Sequence, residues 1–344
     1  METNHIERYK GLPKEATPEE LERLKTIFEE EVNTEEDKLK HEKVNFDELE
    51  ESSDTIKDDD SSNENSDTMV NPKFNKDLGQ HILKNMGVID TVLEKAKIKS
   101  TDVILEIGGG TGNLTMKMLP KAKKVVVYEK DPRLASELVK KVNDNTELSN
   151  KFQLFIGDAM KHDYPYFDMC ISNLPYQISS PFVFKLLTYK FKCAYIMFQK
   201  EFGERLIARP GSPNYCRLSV SVQLLAQVDF IMKISKNSFV PPPKVESCII
   251  RIEPKSPQPP INLEEFDALL KICFLRKNKT ILSNFKNSTF IKKIKKEGKI
   301  SEPEVFLKSL ITKLGLLDSR ANKMDIDEFL ELLLESKRND IELL

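Results

Sequence analysis

The sequence predicts an α/β protein, a doubly wound parallel sheet with a small helical domain at its C-terminal end. Three observations carry this. Short apolar runs alternate with amphipathic segments from Val103 to Phe198, as in successive strand–helix–strand units. The first run ends in a glycine-rich turn, Gly108-Gly109-Gly110-Thr111-Gly112, which suits the sharp passage from a parallel strand into its crossover helix. Beyond the proline-stiffened stretch 254–260 only helical periodicity remains, with Phe266, Leu269, Leu270 and Cys273, and later Phe329, Leu332 and Leu333.

Taken in order, residues 1–70 are expected to be an acidic, largely disordered extension. They include one amphipathic helix capped by Thr17-Pro18, with Leu21, Leu24, Ile27 and Phe28 on one face. Such an arm is either a docking segment that restrains a basic body or a dispensable solvated tail. Residues 71–255 are expected to form the sheet domain. It opens with a loop over Phe74–Leu83 and a helix presenting Val88, Ile89, Val92 and Leu93. Strands are expected at Val103–Ile107, Val125–Tyr128, Phe152–Ile156, Phe167–Ile171 and Ala194–Phe198. Helices fall between them at Leu114–Leu119, Pro132–Val142 and Pro181–Leu187, the second with Asp131 as its N-cap and proline in its first position. Leu218–Val228 reads as the last helix of this domain and Ser247–Ile252 as an edge strand. Residues 256–344 are the helical domain.

Composition narrows the function classes. No apolar run approaches the ~20 residues of a membrane helix, and the N-terminus has neither an apolar leader core nor an arginine-rich, acid-poor segment. The five cysteines form no C-x-x-C pair and the four histidines no ligand spacing, so neither a metal nor a disulfide framework is expected. The net charge of −2 conceals an asymmetry. Residues 1–70 hold 23 acidic and 9 basic side chains; the rest hold 32 acidic and 44 basic ones. A body carrying +12 and an arm carrying −14 suit a protein that binds nucleic acid.

The chemistry concentrates at expected strand ends. Glu106-Ile107-Gly108-Gly109-Gly110-Thr111-Gly112 is E-x-G-x-G-x-G, one residue tighter than a dinucleotide loop. That spacing favours an adenosyl ligand without a pyrophosphate, such as S-adenosylmethionine; a plain strand–helix turn is the alternative. Gly108 and Gly110 would allow the backbone to approach the ligand. Glu129, at the next strand end, would accept the ribose hydroxyls, and Asp158, at the third, the adenine amine. The fourth ends in Asn173-Leu174-Pro175-Tyr176. Proline stops the ladder and holds residue 174 extended. The Asn173 amide and the Leu174 carbonyl then offer two acceptors beside the aromatic face of Tyr176, a fit for a planar base with an exocyclic amine. A strand-ending turn with a solvent tyrosine is the alternative. Phe239, ahead of three prolines, is a candidate for the base's opposite face or else an ordinary core residue. Arg217, Lys244, Arg276, Lys277 and Lys279 are candidate phosphate contacts only as a collective field.

These motifs, with Gly79-Gln80-His81-Ile82-Leu83, Glu129-Lys130-Asp131-Pro132-Arg133, Gln199-Lys200-Glu201-Phe202, Tyr215-Cys216-Arg217-Leu218-Ser219, Phe239–Ser247 and Arg276-Lys277-Asn278-Lys279, resemble the small-subunit ribosomal RNA adenine-N6 dimethyltransferases, the KsgA-like family, most of all its eukaryotic nucleolar members. The likeness runs from about Phe74 to Phe285 and again over Ser319–Leu332. It implies a Rossmann-like class I methyltransferase sheet, with S-adenosylmethionine held by His81, Leu83, Gly108, Glu129, Asp158 and Asn173. The implied substrate is a pair of adjacent adenosines in a hairpin near the 3′ end of small-subunit pre-rRNA, within a pre-ribosomal particle. Each would become N6,N6-dimethyladenosine, and a part in pre-rRNA processing and assembly is implied as well. The expected protein is a nucleolar monomer (the cytoplasm being the alternative) that needs no membrane and no metal. Gly109 departs from the family, which usually has proline there, and a looser loop is expected. Two competing readings are an assembly factor with a vestigial pocket and a related enzyme acting on large-subunit rRNA.

Overall fold

The computed structural model describes residues 81–291, 301–339 and 341. The acidic arm, its amphipathic helix and the Phe74–Gln80 part of the opening motif lie outside the described residues. In chain order the elements are β1 (Ile82–Leu83), α1 (Met86–Ala96), β2 (Val103–Ile107), α2 (Asn113–Met118), β3 (Lys124–Glu129), α3 (Pro132–Asn143), α4 (Thr146–Ser149), β4 (Phe152–Ile156) and β5 (Met169–Asn173). There follow α5 (Ser179–Leu187), β6 (Cys193–Gln199), α6 (Lys200–Leu206), α7 (Arg217–Leu225), β7 (Ala226–Ile234), β8 (Phe239–Val240) and β9 (Ser247–Pro254). The described C-terminal helices are α8 (Leu263–Cys273), α9 (Ile281–Asn287), α10 (Pro303–Lys313) and α11 (Ile326–Arg338).

The main sheet has seven strands in the order β4-β3-β2-β5-β6-β9-β7. β2 through β6 run parallel. Their β-branched runs, such as Val125-Val126-Val127, are buried on both faces because helices cover both sides. The expected doubly wound parallel sheet is extended by two antiparallel strands: β9 is antiparallel to both its neighbours, β6 and β7. It is also an interior strand. The edge is β7, whose first residues were expected to be helical. No glycine or proline marks the passage from α7 into β7 along Gln223-Leu224-Leu225-Ala226-Gln227-Val228, so the sequence carries no stop signal there. The antiparallel ladder with β9, which begins at Ala226 opposite Pro254, sets the boundary instead.

The chain winds outward from β2 in both directions, so the order reverses between β2 and β5. Ligands of open α/β sheets bind at such a reversal, outside the carboxyl ends of the strands. A two-stranded ribbon of β1 against β8, with Leu83 opposite Phe239, lies outside the main sheet. One core joins the sheet to α1, α2 and α3 through Ile89, Val92, Met118, Val125, Val127 and Leu138. A second is built by the C-terminal helices together with Tyr215, Val220 and Leu224.

Candidate active site

The strand ends expected to carry chemistry are neighbours. Gly108 follows β2, Glu129 closes β3, Asp158 stands just beyond β4 and Asn173 closes β5. These are four adjacent parallel strands, so all four residues stand on one carboxyl rim.

The glycine turn meets both sides of that rim. Gly108 has φ +77°, and a Cβ there would stand 3.4 Å from Pro175 Cδ and 3.6 Å from the Asn173 carbonyl oxygen. Gly110 has φ +55°, and its N–H donates to Glu129 Oε2 at 2.8 Å. The other carboxylate oxygen, Oε1, accepts from the Asp131 N–H at 2.8 Å. Glu129 is only 6 % exposed. Burial raises its carboxyl above the ordinary value, against the pull of these two N–H groups. The carboxylate keeps lone-pair capacity for a ligand hydroxyl. Lys130 continues the chain of contacts by pairing with Asp158 Oδ2 at 3.0 Å, while the Met160 N–H donates to Oδ1 at 3.0 Å. Burial works to raise the Asp158 carboxyl; the Met160 N–H and the Lys130 ammonium outweigh it and hold the group below its ordinary value.

On the β5 side, Asn173 Nδ2 donates to the His81 carbonyl at 2.7 Å. A carbonyl only accepts, so this bond fixes which end of the amide is which and leaves Oδ1 as the free acceptor. Leu174 buries its side chain and contributes only its main chain to the rim. Tyr176 is half-buried, which removes the reading of a solvent tyrosine. Its ring lies 5.8 Å from the His81 ring at 26°, and its hydroxyl shares a 2.6 Å hydrogen bond with Ser247 on β9. Burial raises that hydroxyl's pKa, so it stays neutral. His81 Nδ1 stands 2.8 Å from the Pro241 carbonyl and therefore carries the proton. One histidine thus ties together the ends of β1, β5 and β8.

The arrangement has a glycine turn and two strand-end carboxylates on one side of the order reversal and an amide acceptor with an aromatic face on the other. The sequence profile described as "Ribosomal RNA adenine dimethylase" matches residues 71–314. The chain belongs to this family. It is therefore an rRNA adenine-N6,N6-dimethyltransferase, and its methyl donor is S-adenosylmethionine. Among relatives, a "Probable dimethyladenosine transferase" of Drosophila melanogaster is 52 % identical over 275 residues, covering 76 % of this chain and 90 % of that protein. A "Dimethyladenosine transferase" of Schizosaccharomyces pombe is 51 % identical, covering 76 % and 89 %. The solved structure of a dimethyladenosine transferase from Plasmodium falciparum superposes with a TM-score of 0.72 at 40 % identity, covering 77 % of this chain and all of that one. The 23S rRNA methyltransferase ErmE shares the fold, with a TM-score of 0.56 at 23 % identity, covering 74 % and 98 %.

The residues fit the family's methyl donor. Three left-handed glycines, Gly108, Gly110 and Gly112, shape the turn, and the buried Glu129 holds it through Gly110. Gly109 does not loosen the loop as expected. A Cβ there would come within 2.6 Å of Val127 Cγ1 and 2.9 Å of Leu138 Cδ2, so the missing side chain is used for close packing. One expected site residue does not join the rim. Phe239 is 1 % exposed and belongs to the core beneath β1 and α1. Its ring has no face to offer a base, and the core reading holds for it. Leu83 buries its side chain, and its carbonyl accepts from Asn113 Nδ2 at 2.9 Å, which ties its main chain to the residue after the glycine turn. Sequence reasoning missed Ser247 as the partner of Tyr176 and the Pro241 carbonyl as the partner of His81. Both lie within the motif Phe239–Ser247, but only the pairing of β8 with β1 and of β9 with β6 and β7 reveals what they face.

Proposed function

We propose that this dimethyltransferase acts on two adjacent adenosines in a hairpin near the 3′ end of small-subunit (18S-type) rRNA. The substrate is pre-rRNA within a pre-ribosomal particle in the nucleolus, and the protein also takes part in pre-rRNA processing and small-subunit assembly. The motif likeness and the strongly basic body support this choice of substrate. The observation that carries the chemistry is the Asn173–His81 hydrogen bond, because it turns Oδ1 into a fixed acceptor for an adenine N6 amine.

S-adenosylmethionine supplies an electrophilic methyl group on a sulfonium. The chain's own residues do the rest. Glu129 and Asp158 bind its adenosyl part, and Gly108 and Gly110 let the backbone close on it. The substrate adenine leaves its stack and lies against Tyr176, a contact worth ~1–3 kcal/mol. Its N6 lone pair is delocalised into the ring and is a poor nucleophile. Asn173 Oδ1 and the Leu174 carbonyl accept the two N–H bonds, which draws the nitrogen towards tetrahedral geometry and frees the lone pair. No strong base is needed: the amine becomes acidic only as the methyl arrives, its proton would pass through the acceptor contact to solvent, and the broken S–CH3 bond would leave the adenosyl part as a neutral thioether. Catalysis is positioning and electrostatics.

The test is methyl transfer from labelled S-adenosylmethionine to immature small subunits from cells lacking this protein, followed by mapping of the modified nucleotides. Two adjacent dimethylated adenosines near the 3′ end are expected. Asn173→Ala is expected to bind the particle while losing ~2–4 kcal/mol of barrier lowering, roughly thirty- to a thousandfold in kcat. Label mapping to other positions, or appearing only when large subunits replace the small ones in the same assay, would overturn the substrate assignment.

A further inference from the structure

Lys185 is a buried lysine on α5, 7 % exposed, and its ammonium is aimed at the backbone of the segment after β4. Nζ donates to the Ala159 carbonyl at 3.0 Å, the Met160 carbonyl at 3.0 Å and the His162 carbonyl at 2.6 Å. It also stands 4.6 Å from the centroid of the Tyr164 ring. An ammonium has three N–H donors, and here three main-chain carbonyls take them. The segment so gripped follows directly on Asp158, whose own geometry depends on it: Oδ1 accepts from Met160 N, and the Lys161 N–H donates to the Asp158 carbonyl at 3.0 Å. Lysine is among the residues least often fully buried, and hiding an ammonium is costly unless its hydrogen bonds are made. The position therefore calls for a purpose beyond packing.

The helix bearing Lys185 starts where the base side of the site ends. The short turn Tyr176–Ile178 leads straight into Ser179, the first residue of α5, and Ser179 Oγ donates to the Tyr176 carbonyl at 2.8 Å. One helix thus begins beside the aromatic face and ends on the loop that presents the adenosyl-binding acid.

We propose that Lys185 is a positioning residue for S-adenosylmethionine. By drawing three carbonyls inward it sets the turn 158–162, and through it the direction of the Asp158 carboxylate at the rim. Lys185 touches no substrate atom; it acts through Asp158, and the inference rests on Asp158 facing the adenosyl group as argued above.

The test uses the full chain and calorimetric binding of S-adenosylmethionine to wild type, Asp158→Ala, Lys185→Met and the double variant. Lys185→Met keeps the length of the stem and removes the donors. Losing charge-assisted hydrogen bonds of this number is expected to weaken binding roughly tenfold or more, with pre-rRNA affinity unchanged. The double variant is expected to bind no more weakly than Asp158→Ala alone, because both changes remove one contact. Full additivity of the two losses, or unchanged affinity in folded Lys185→Met, would overturn the proposal. If Lys185→Met does not fold, Lys185→Gln, which keeps one amide donor group, is judged by the same two numbers. Unchanged affinity in Asp158→Ala alone would instead remove the reading of Asp158 on which the inference stands.

Discussion

At the scale of single residues, the site is built from polar groups whose partners restrict what each can do. Asn173 is the plainest case. An aspartate would offer the same Oδ1 acceptor, but its second oxygen would meet the His81 carbonyl oxygen at the position where Nδ2 now donates. The amide is needed because one of its ends must donate. Glu106 behaves differently. It lies one residue before the glycine turn, is 1 % exposed, and accepts from Thr115 Oγ1 at 2.6 Å. Burial pushes its carboxyl up to about 8, with the Thr115 hydrogen bond opposing and the Glu129 charge adding to the rise. The sign follows from linkage. The folded state holds this proton in a range where the unfolded chain has lost it. The stabilisation is therefore complete below the ordinary carboxylate value of 4.5 and is lost as pH rises towards 8. Glu106→Gln keeps an acceptor for Thr115 and carries no charge at any pH. Thermal unfolding of both proteins from pH 5 to pH 9 is expected to show the wild type falling behind the variant by up to about 1.4 kcal/mol per pH unit, with the gap levelling above pH 8. Parallel pH profiles would mean that Glu106 is ionised in the fold.

At the scale of elements, the turn between β2 and α2 shows how a short segment serves two masters. Its backbone must leave a parallel strand sharply and also stay bare towards the ligand. Gly110 meets both demands through a left-handed φ. Gly110→Ala would add ~1–2 kcal/mol of backbone strain and put its Cβ 2.9 Å from Ile82 Cδ1, on the ribbon strand that carries His81's neighbours. The variant is expected to unfold at lower denaturant and to bind S-adenosylmethionine more weakly, as read by chemical denaturation and calorimetry. Wild-type affinity would show that the turn does not approach the ligand. Much of this was legible in the sequence, because a glycine cluster at a strand end has few structural uses. Val103–Ile107 and Phe152–Ile156 were expected with the bounds observed, and Asp131 caps α3 through the Arg133 N–H at 3.0 Å as its position before Pro132 implied. The fourth strand was placed two residues early, since Phe167 is as apolar as a strand residue. The ladder with β2 nevertheless starts only at Met169, opposite Ile104. The two-residue ribbon of β1 and β8 was not legible at all. Elements that short have no period, and the burial of Phe239 depends on a partner about 155 residues away in sequence.

At the scale of the whole molecule, the C-terminal helices do not keep a core to themselves. Ala208, Tyr215, Val220 and Leu224, all from before β7, are buried in the same cluster as Phe266, Phe285 and Phe329. Polar contacts follow the same path: the Tyr215 hydroxyl donates to the Met324 carbonyl at 2.9 Å, and the Gly211 N–H to the Asn322 carbonyl at 2.7 Å. Of the basic residues after α8, Lys277 reaches across this junction and Arg276 is held within the helical half. The Lys277 ammonium donates to the Pro213 carbonyl at 3.1 Å and the Arg276 guanidinium to the Ser283 carbonyl at 3.2 Å. A shared core couples the stability of the two halves, because neither can open without exposing apolar surface of the other. Phe329, fully buried with its ring 5.7 Å from that of Phe274, is the side chain with which to test this. Phe329→Ala is expected to cost ~3–5 kcal/mol, a large part of the ~5–15 kcal/mol that holds a typical protein folded. Hydrogen exchange read by mass spectrometry under native conditions separates the possibilities. With coupled halves, amides of β3 and β5 lose as much protection as those of α8 and α11. Loss confined to the helices, with β3 and β5 at wild-type protection, would mean that the helical half opens by itself and that the basic surface it carries is free to move relative to the methyl-transfer rim.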